Sequence, residues 1–288
     1  MPELPEMQAL AERLDALLAG TALRSAELLG FSSLKTFEPT PDSLRDHRLV
    51  SVGRRAKYLV WTFDDERRIV LHLSQAGRLD IEQPPKRTKP RGSAARFVFV
   101  SADAGPLEAG VGVLVREYGT HRKLAWWVLG PGADGPLTGL GPEPGTEAFA
   151  EILRSSKSRR RLTTDLRDQH FVAGIGRGWG DDILQRARLS PFTSLGSLNM
   201  EQREFLLTAI TEVLAAALEQ ERGRKGGLSE ASLGGRFRVH GRAGEPCPAE
   251  CGDVLRRVSF ESYDMTYCPT CQTGGKVLAD RRMSRLLK

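Results

Sequence analysis

Apolar residues first recur at helical spacing. Met7, Leu10, Leu14 and Leu17–Leu18 form one stripe and Gly20 ends it, which predicts an amphipathic helix over residues 2–20. From about 23 to 130 the pattern changes to short β-rich runs separated by turn residues: RLVSVGRRAKYLVWTF, RRIVLHLSQAGRLDI, ARFVFVSA, GVLVREYG and KLAWWVLG. That density predicts a sandwich or barrel. Residues 83–94, QPPKRTKPRGSA, interrupt it as a polar loop rich in proline and basic groups. The Gly/Pro-rich stretch at 130–145 reads as a domain boundary. From Thr146 to about Gly223 the period is helical again, in TEAFAEILRSS and NMEQREFLLTAITEVLAAALEQERG. Between these runs, DQHFVAGIGRGWGDDILQRARLSPF places Gly174 and Gly176 just before a new helix. Such a helix start has free backbone N–H groups and accepts a phosphate, although the same pattern also fits a plain helical hairpin. No internal repeat is present.

Composition narrows the class. Hydrophobic residues make up 40% of the 288, enough for a sizeable core, and the length suits two or three domains. Lys and Arg outnumber Asp and Glu by 42 to 36, a net charge of +6 that fits a nucleic-acid partner without demanding one. No run approaches 18 apolar residues, so no membrane partner is expected. The N-terminus carries early acids and no basic region of the secretory kind, which leaves a cytoplasmic location as the expectation.

All four cysteines fall near the C-terminus, as Cys247-x3-Cys251 and Cys268-x2-Cys271 with sixteen residues between the pairs. Each pair can offer two thiolates from one turn, and Pro246, Gly252 and Pro269 supply the turn residues. Two such turns make a closed tetrahedral site, so one structural Zn2+ is expected.

The opening MPELPE supports two readings. Proline and early glutamates suit the start of a helix. Removal of Met1 would instead expose the secondary amine of Pro2, with an α-amino pKa of about 8 or below and hence nucleophilic character.

Together these segments resemble the formamidopyrimidine-DNA glycosylase and endonuclease VIII family, over nearly the whole chain and in order. MPELPE resembles its N-terminus, GRRAKYL its hairpin lysine motif, LHLSQAGRL a segment facing DNA, and LGPEP its interdomain linker. DQHFVAGIG resembles its helix–two-turn–helix signature, and VHGRAGEPC with YCPTCQ its closing zinc finger. The resemblance implies a multidomain α+β fold: an N-terminal β-sandwich domain with an N-terminal helix at 1–132, a helix–two-turn–helix domain at 145–223, a β-hairpin zinc finger at 236–275 and a basic tail at 276–288. It implies base-excision repair by a bifunctional glycosylase and AP lyase acting as a monomer on double-stranded damaged DNA, nucleoid-associated when bound. Pro2 is then the nucleophile, Glu3 the proton donor, Glu6 an orienting group and Lys57 a support for the flanking phosphate. Gln75 fills the void left by a flipped base, Arg116 and Tyr118 form the wedge loop, and His72, Gly174, Gly176 and Arg177 meet phosphate. Cys247, Cys251, Cys268 and Cys271 hold zinc.

The sequence also departs from that pattern. Arg177 stands for a phosphate-binding asparagine, Asp182 for a glutamate, Thr163 for a lysine and Tyr263 for the finger's phosphate-gripping arginine, for which Arg242, Arg256 or Arg257 are candidate substitutes. The first knuckle has one extra residue. Only eleven residues, LSEASLGGRFR, separate Gly227 from VHGR, where relatives that recognise 8-oxoguanine carry a longer loop. Weak action on 8-oxoguanine is therefore expected, with better action on abasic sites and on oxidised pyrimidines or other adducts. The changes also leave open a damaged-DNA-binding protein with little or no catalysis.

Overall fold

The computed structural model describes residues 1–101, 109–118, 122–224, 235–260 and 263–279. Most of the eleven-residue segment at 228–238, and the tail from 280 onward, lie outside the described residues. The chain divides into two compact units, Met1–Thr138 with Leu218–Leu233, and Gly139–Ala217 with Gly234–Lys288.

The first unit begins with helix α1 (Leu4–Leu18). It is shorter than the predicted range 2–20 because Glu3 is its cap in extended backbone and Gly20, at φ +87°, turns the chain away. Eight strands follow: β1 (Ala22–Leu28), β2 (Leu49–Arg55), β3 (Tyr58–Phe63), β4 (Arg68–His72), β5 (Gly77–Glu82), β6 (Ser93–Val100), β7 (Val111–Glu117) and β8 (Ala125–Leu129). They form two antiparallel four-stranded sheets, ordered β1-β6-β7-β5 and β2-β3-β4-β8. The run RLVSVGRRAKYLVWTF is thus a hairpin, turning through Ala56–Lys57 between the paired Arg55 and Tyr58.

Alternation explains the sandwich. In β3, Leu59, Trp61 and Phe63 point inward, and in β6 Ala95, Phe97 and Phe99 do. Trp61 meets Phe97 at 5.0 Å between ring centroids, and Phe97 meets Trp126 at 5.2 Å, both edge to face. Helix α1 adds Met7, Leu10, Leu14 and Leu18 to this core. Asp15 also accepts the Val52 N–H at 2.7 Å, fixing α1 to β2.

The second unit contains α2 (Glu147–Ser155), α3 (Leu162–Arg167), α4 (Arg177–Arg186) and most of α5 (Met200–Gly223). A hairpin of β9 (Arg256–Phe260) and β10 (Tyr263–Tyr267) follows, then the short helix α6 (Pro269–Thr273). Thr146 caps α2 by accepting the Phe149 N–H at 3.3 Å. Phe149, Leu166, Ile175, Ile183 and Leu206 belong to a separate apolar core of this unit. An adjoining cluster joins Val239 and Leu255 to Cys247 and Cys268.

The last turns of α5, from Leu218 on, belong with the first unit. There Arg13 of α1 donates to the carbonyl oxygens of Glu221 and Arg224, at 2.5 and 3.1 Å. A cation at those carbonyls complements the helix dipole.

Candidate active site and metal centre

The start of α1 is a reciprocal capping box. The Glu3 N–H donates to the Glu6 carboxylate at 2.8 Å, and the Glu3 side chain accepts the Glu6 N–H. Pro5 fits at the second helical position because no hydrogen bond is required of its nitrogen. Both readings of MPELPE therefore meet in one place, since the cap that starts the helix also fixes two carboxylates beside the chain terminus.

Lys57 and Arg78 come to the same place. Glu3, Glu6, Lys57 and Arg78 are each no more than 9% exposed. Burial pushes the terminal ammonium of Met1 below its ordinary pKa, while Glu3, Arg78, Glu6 and Lys57 act on it in turn, two raising and two lowering. A buried amine surrounded by balanced charge is neutral more of the time near pH 7 and so more nucleophilic. Burial, then the Glu3 charge, push Glu6 up to about 7. Burial, then Lys57, push His72 down to about 4, so its imidazole is neutral at neutral pH. His72 pairs with Tyr58 across β3 and β4, next to the Lys57 turn. That turn holds Ala56 at φ +53°, a left-handed conformation costly for a residue with a Cβ.

Gln75, Arg116 and Tyr118 lie together at one end of the β5–β7 pair. Leu73 to Gly77 form a tight turn closed by the Gly77 N–H to the Leu73 carbonyl at 2.8 Å, with Ser74 at φ +54° and Gln75 exposed. A Cβ at Gly77 would stand 2.2 Å from that carbonyl oxygen, so only glycine fits. The Tyr118 N–H donates to Ala76 at 3.0 Å, joining this turn to the loop after β7. Arg116 ion-pairs with Asp80 at 3.2 Å and its guanidinium lies 4.7 Å from the centre of the Tyr118 ring. Its Nε is buried with no acceptor among the described residues. Tyr118 itself is 55% exposed, which removes core packing as its role.

In the second unit the side chain of Gln169 holds the signature turn. It accepts the Gly174 N–H at 2.9 Å and donates to the Ile175 carbonyl at 2.8 Å. Gly174 sits at φ +105°, Gly176 caps α4, and Arg177 begins α4 exposed. Arg177, His240, Arg256, Arg257 and Tyr263 are among the residues lining an open cavity of about 950 Å³. Arg242 is not one of them and pairs with Glu245 at 3.0 Å. Thr163 is buried and presents nothing to solvent. Tyr263 is buried too, and the Arg167 guanidinium stacks 3.7 Å from its ring centre.

Asp181 and Asp182 of α4 anchor the finger. Asp182 accepts the N–H groups of Arg238, Val239 and His240 at 2.7, 3.1 and 3.0 Å. Asp181 accepts the Thr266 N–H at 3.0 Å and meets His240 Nδ1 at 2.6 Å. Burial pushes Asp181 up to about 6 despite these partners. The sequence marks Asp182 only as a departure and does not single out Asp181 or Arg78. Two adjacent carboxylates on an otherwise apolar helix stretch, and an arginine in a buried strand, were the available signals.

The four cysteine sulfurs all lie within 4.8 Å of one another. Cys247 and Cys271 are 3.8 Å apart, Cys251 and Cys268 3.5 Å. Tetrahedral Zn–S bonds of about 2.3 Å separate sulfurs by about 3.8 Å, so the donor set fits that ion. Gln185 of α4 donates to the Cys247 sulfur at 3.6 Å, a partner of the kind that orients metal ligands.

Comparison with known proteins agrees with this architecture. Residues 1–108 match the formamidopyrimidine-DNA glycosylase N-terminal domain and residues 140–227 the formamidopyrimidine-DNA glycosylase H2TH domain. The formamidopyrimidine-DNA glycosylase of Heliobacterium modesticaldum is 31% identical over 94% of this chain and 100% of its own. An uncharacterized formamidopyrimidine-DNA glycosylase-like protein of Mycobacterium tuberculosis is 43% identical over 52% of this chain and 94% of its own. Among solved structures, Lactococcus lactis Fpg in complex with abasic-site DNA shares the fold with a TM-score of 0.79 at 23% identity, over 94% of this chain and 99% of that one. With both domain matches and a relative aligned end to end, the chain belongs to the formamidopyrimidine-DNA glycosylase family.

Proposed function

We propose that this protein is a bifunctional DNA glycosylase and AP lyase that acts on damaged duplex DNA through the amine of Pro2, exposed by removal of Met1. The reading rests chiefly on the convergence of the chain terminus, Glu3, Glu6, Lys57 and Arg78 in one buried cluster. The amine lone pair attacks the anomeric carbon of the damaged nucleoside, the bond to the base breaks with its electron pair leaving on the base, and the proton lost by the amine neutralises the departing base. Glu3 delivers a proton as the sugar ring opens, and an iminium joins Pro2 to the sugar. That cation accepts the electron pair released when the adjacent proton leaves, and the 3′ phosphate is expelled. A second elimination releases the 5′ phosphate and leaves a one-nucleotide gap. Lys57 and Arg78 offset the phosphate charge. Gln75, Arg116 and Tyr118 enter the duplex where the base has flipped out. Arg177, with Arg256 and Arg257, receives phosphate at the finger, and one zinc held by the four cysteines keeps that hairpin folded.

Borohydride trapping on abasic duplex is the direct test. A covalent protein–DNA adduct is expected. Retention without an adduct would favour the second reading, a damaged-DNA-binding protein, which the replacements at Thr163 and Tyr263 motivate. The substrate range follows from the short segment at 228–238 and from Tyr263: 8-oxoguanine opposite cytosine should be a poor substrate beside an abasic site, thymine glycol or dihydrouracil. Equal turnover of 8-oxoguanine and the abasic site would overturn that range.

A further inference from the structure

The basic loop after β5 is built as a strap. It leaves β5 at Glu82, which pairs with Gly112, and rejoins the sheet at Gly92, whose carbonyl accepts the Glu117 N–H at 2.9 Å. Glu117 pairs with Gly77, so the loop runs back along the whole length of β5, five residue steps or about 17 Å. Its end lies beside Arg116 and Tyr118.

The strap is tied down from beneath. Arg96 is 1% exposed and points away from the sandwich core. It ion-pairs with Glu82 at 2.9 Å and donates to the Thr88 carbonyl in the middle of the strap. Glu82 also accepts the Lys86 N–H at 3.1 Å. Pro84, Pro85 and Pro90 restrict the backbone further. Lys86, Arg87, Lys89 and Arg91 are all exposed, and none has a side-chain hydrogen bond or ion pair among the described residues. A solvated run of cations needs no such scaffold. Fixing it in advance removes the ordering cost of binding a polyanion.

We propose that residues 83–92 are a second DNA-binding element, which grips the backbone of the duplex flanking the lesion through Lys86, Arg87, Lys89 and Arg91. This rests on the duplex-DNA reading above. Phosphates of one strand recur about every 3.4 Å along the duplex axis, so 17 Å of strap laid along that axis passes about five of them.

The test compares wild type with a variant carrying Lys86→Gln, Arg87→Gln, Lys89→Gln and Arg91→Gln on abasic duplex at several salt concentrations. The slope of log affinity against log salt should fall by about 0.9 per lost phosphate contact, about 3.6 in all if each of the four meets a phosphate. Melting temperature and the trapping rate at saturating protein should not change, because none of the four touches the Pro2 cluster. Arg24→Gln, Arg45→Gln and Arg48→Gln remove exposed charge elsewhere in the same unit and should leave the slope alone. Lys86→Arg with Lys89→Arg should also keep it. An unchanged slope in the strap variant, or an equal fall in the control, overturns the strap while leaving the catalytic reading intact. A wild type that neither binds nor traps abasic duplex overturns both.

Discussion

Glu6 illustrates what position does to one side chain. Its pKa rises from 4.5 to about 7 in the fold, by burial first and Glu3 second. A raised carboxyl pKa means that the folded state holds a proton which the unfolded state has lost. The contribution of Glu6 to stability is therefore greatest below about pH 4.5, falls as pH rises towards 7, and levels off above it, with a span of about 3 kcal/mol. Glu6→Gln retains a side chain able to close the capping box and removes the titration. Urea unfolding should show the variant gaining on wild type by about that amount between pH 5 and pH 8, and parallel curves would reject the assignment. Pro2→Gly should reduce borohydride trapping at least tenfold, and mass spectrometry of active wild type should find Pro2 first. Glu3→Gln should lose base excision yet still cleave preformed abasic sites, whereas equal loss of both would contradict its role as proton donor. At this scale the sequence was legible where a motif was local. MPELPE and the lysine hairpin are local runs that point to residues the fold gathers at the terminus, whereas nothing local points to Arg78, which a strand delivers to a terminus 76 positions earlier.

Elements were legible where one face is apolar. The stripe in α1 and the alternation in β3 and β6 marked both helix and sandwich, since burial there follows the simple periods of 3.6 and 2. Turns between them were legible only as interruptions. Nothing in LSQAG reveals that its middle faces solvent while its ends bond to each other. Gly77→Ala tests that geometry. The new Cβ would meet the Leu73 carbonyl oxygen at 2.2 Å, so the turn must open and move Gln75. A loss of about 1–3 kcal/mol in stability is expected, as for other overpacked sites. Binding to flipped or abasic DNA should weaken more than binding to intact duplex. A variant with wild-type stability and unchanged discrimination would show that the turn is not the constraint.

For the whole molecule, the order of segments along the chain identified the family, while the ties between segments were hidden in long-range hydrogen bonds. Cysteine spacing gave the metal site because ligand geometry is set within each knuckle. Chelation should unfold the hairpin after residue 239 and weaken duplex affinity, and trapping at saturating protein should proceed at its former rate. Metal analysis should return about one zinc per chain, and a folded, metal-free preparation would reject the site.

The paired carboxylates of α4 bear on how this family can be recombined. Asp182 holds three successive N–H groups of the segment entering the finger, and Asp181 holds Thr266 and His240. The glutamate that the resemblance places at 182 is one methylene longer, so a finger shaped for it would enter at a different height above α4. A chimera that exchanged residues 236–275 alone would leave three backbone donors ill matched, and the buried one, the Val239 N–H, would cost about 1–3 kcal/mol if left without an acceptor. Helix and finger are therefore one heritable cassette, and a graft that carries 177–186 with the finger is the one that should fold.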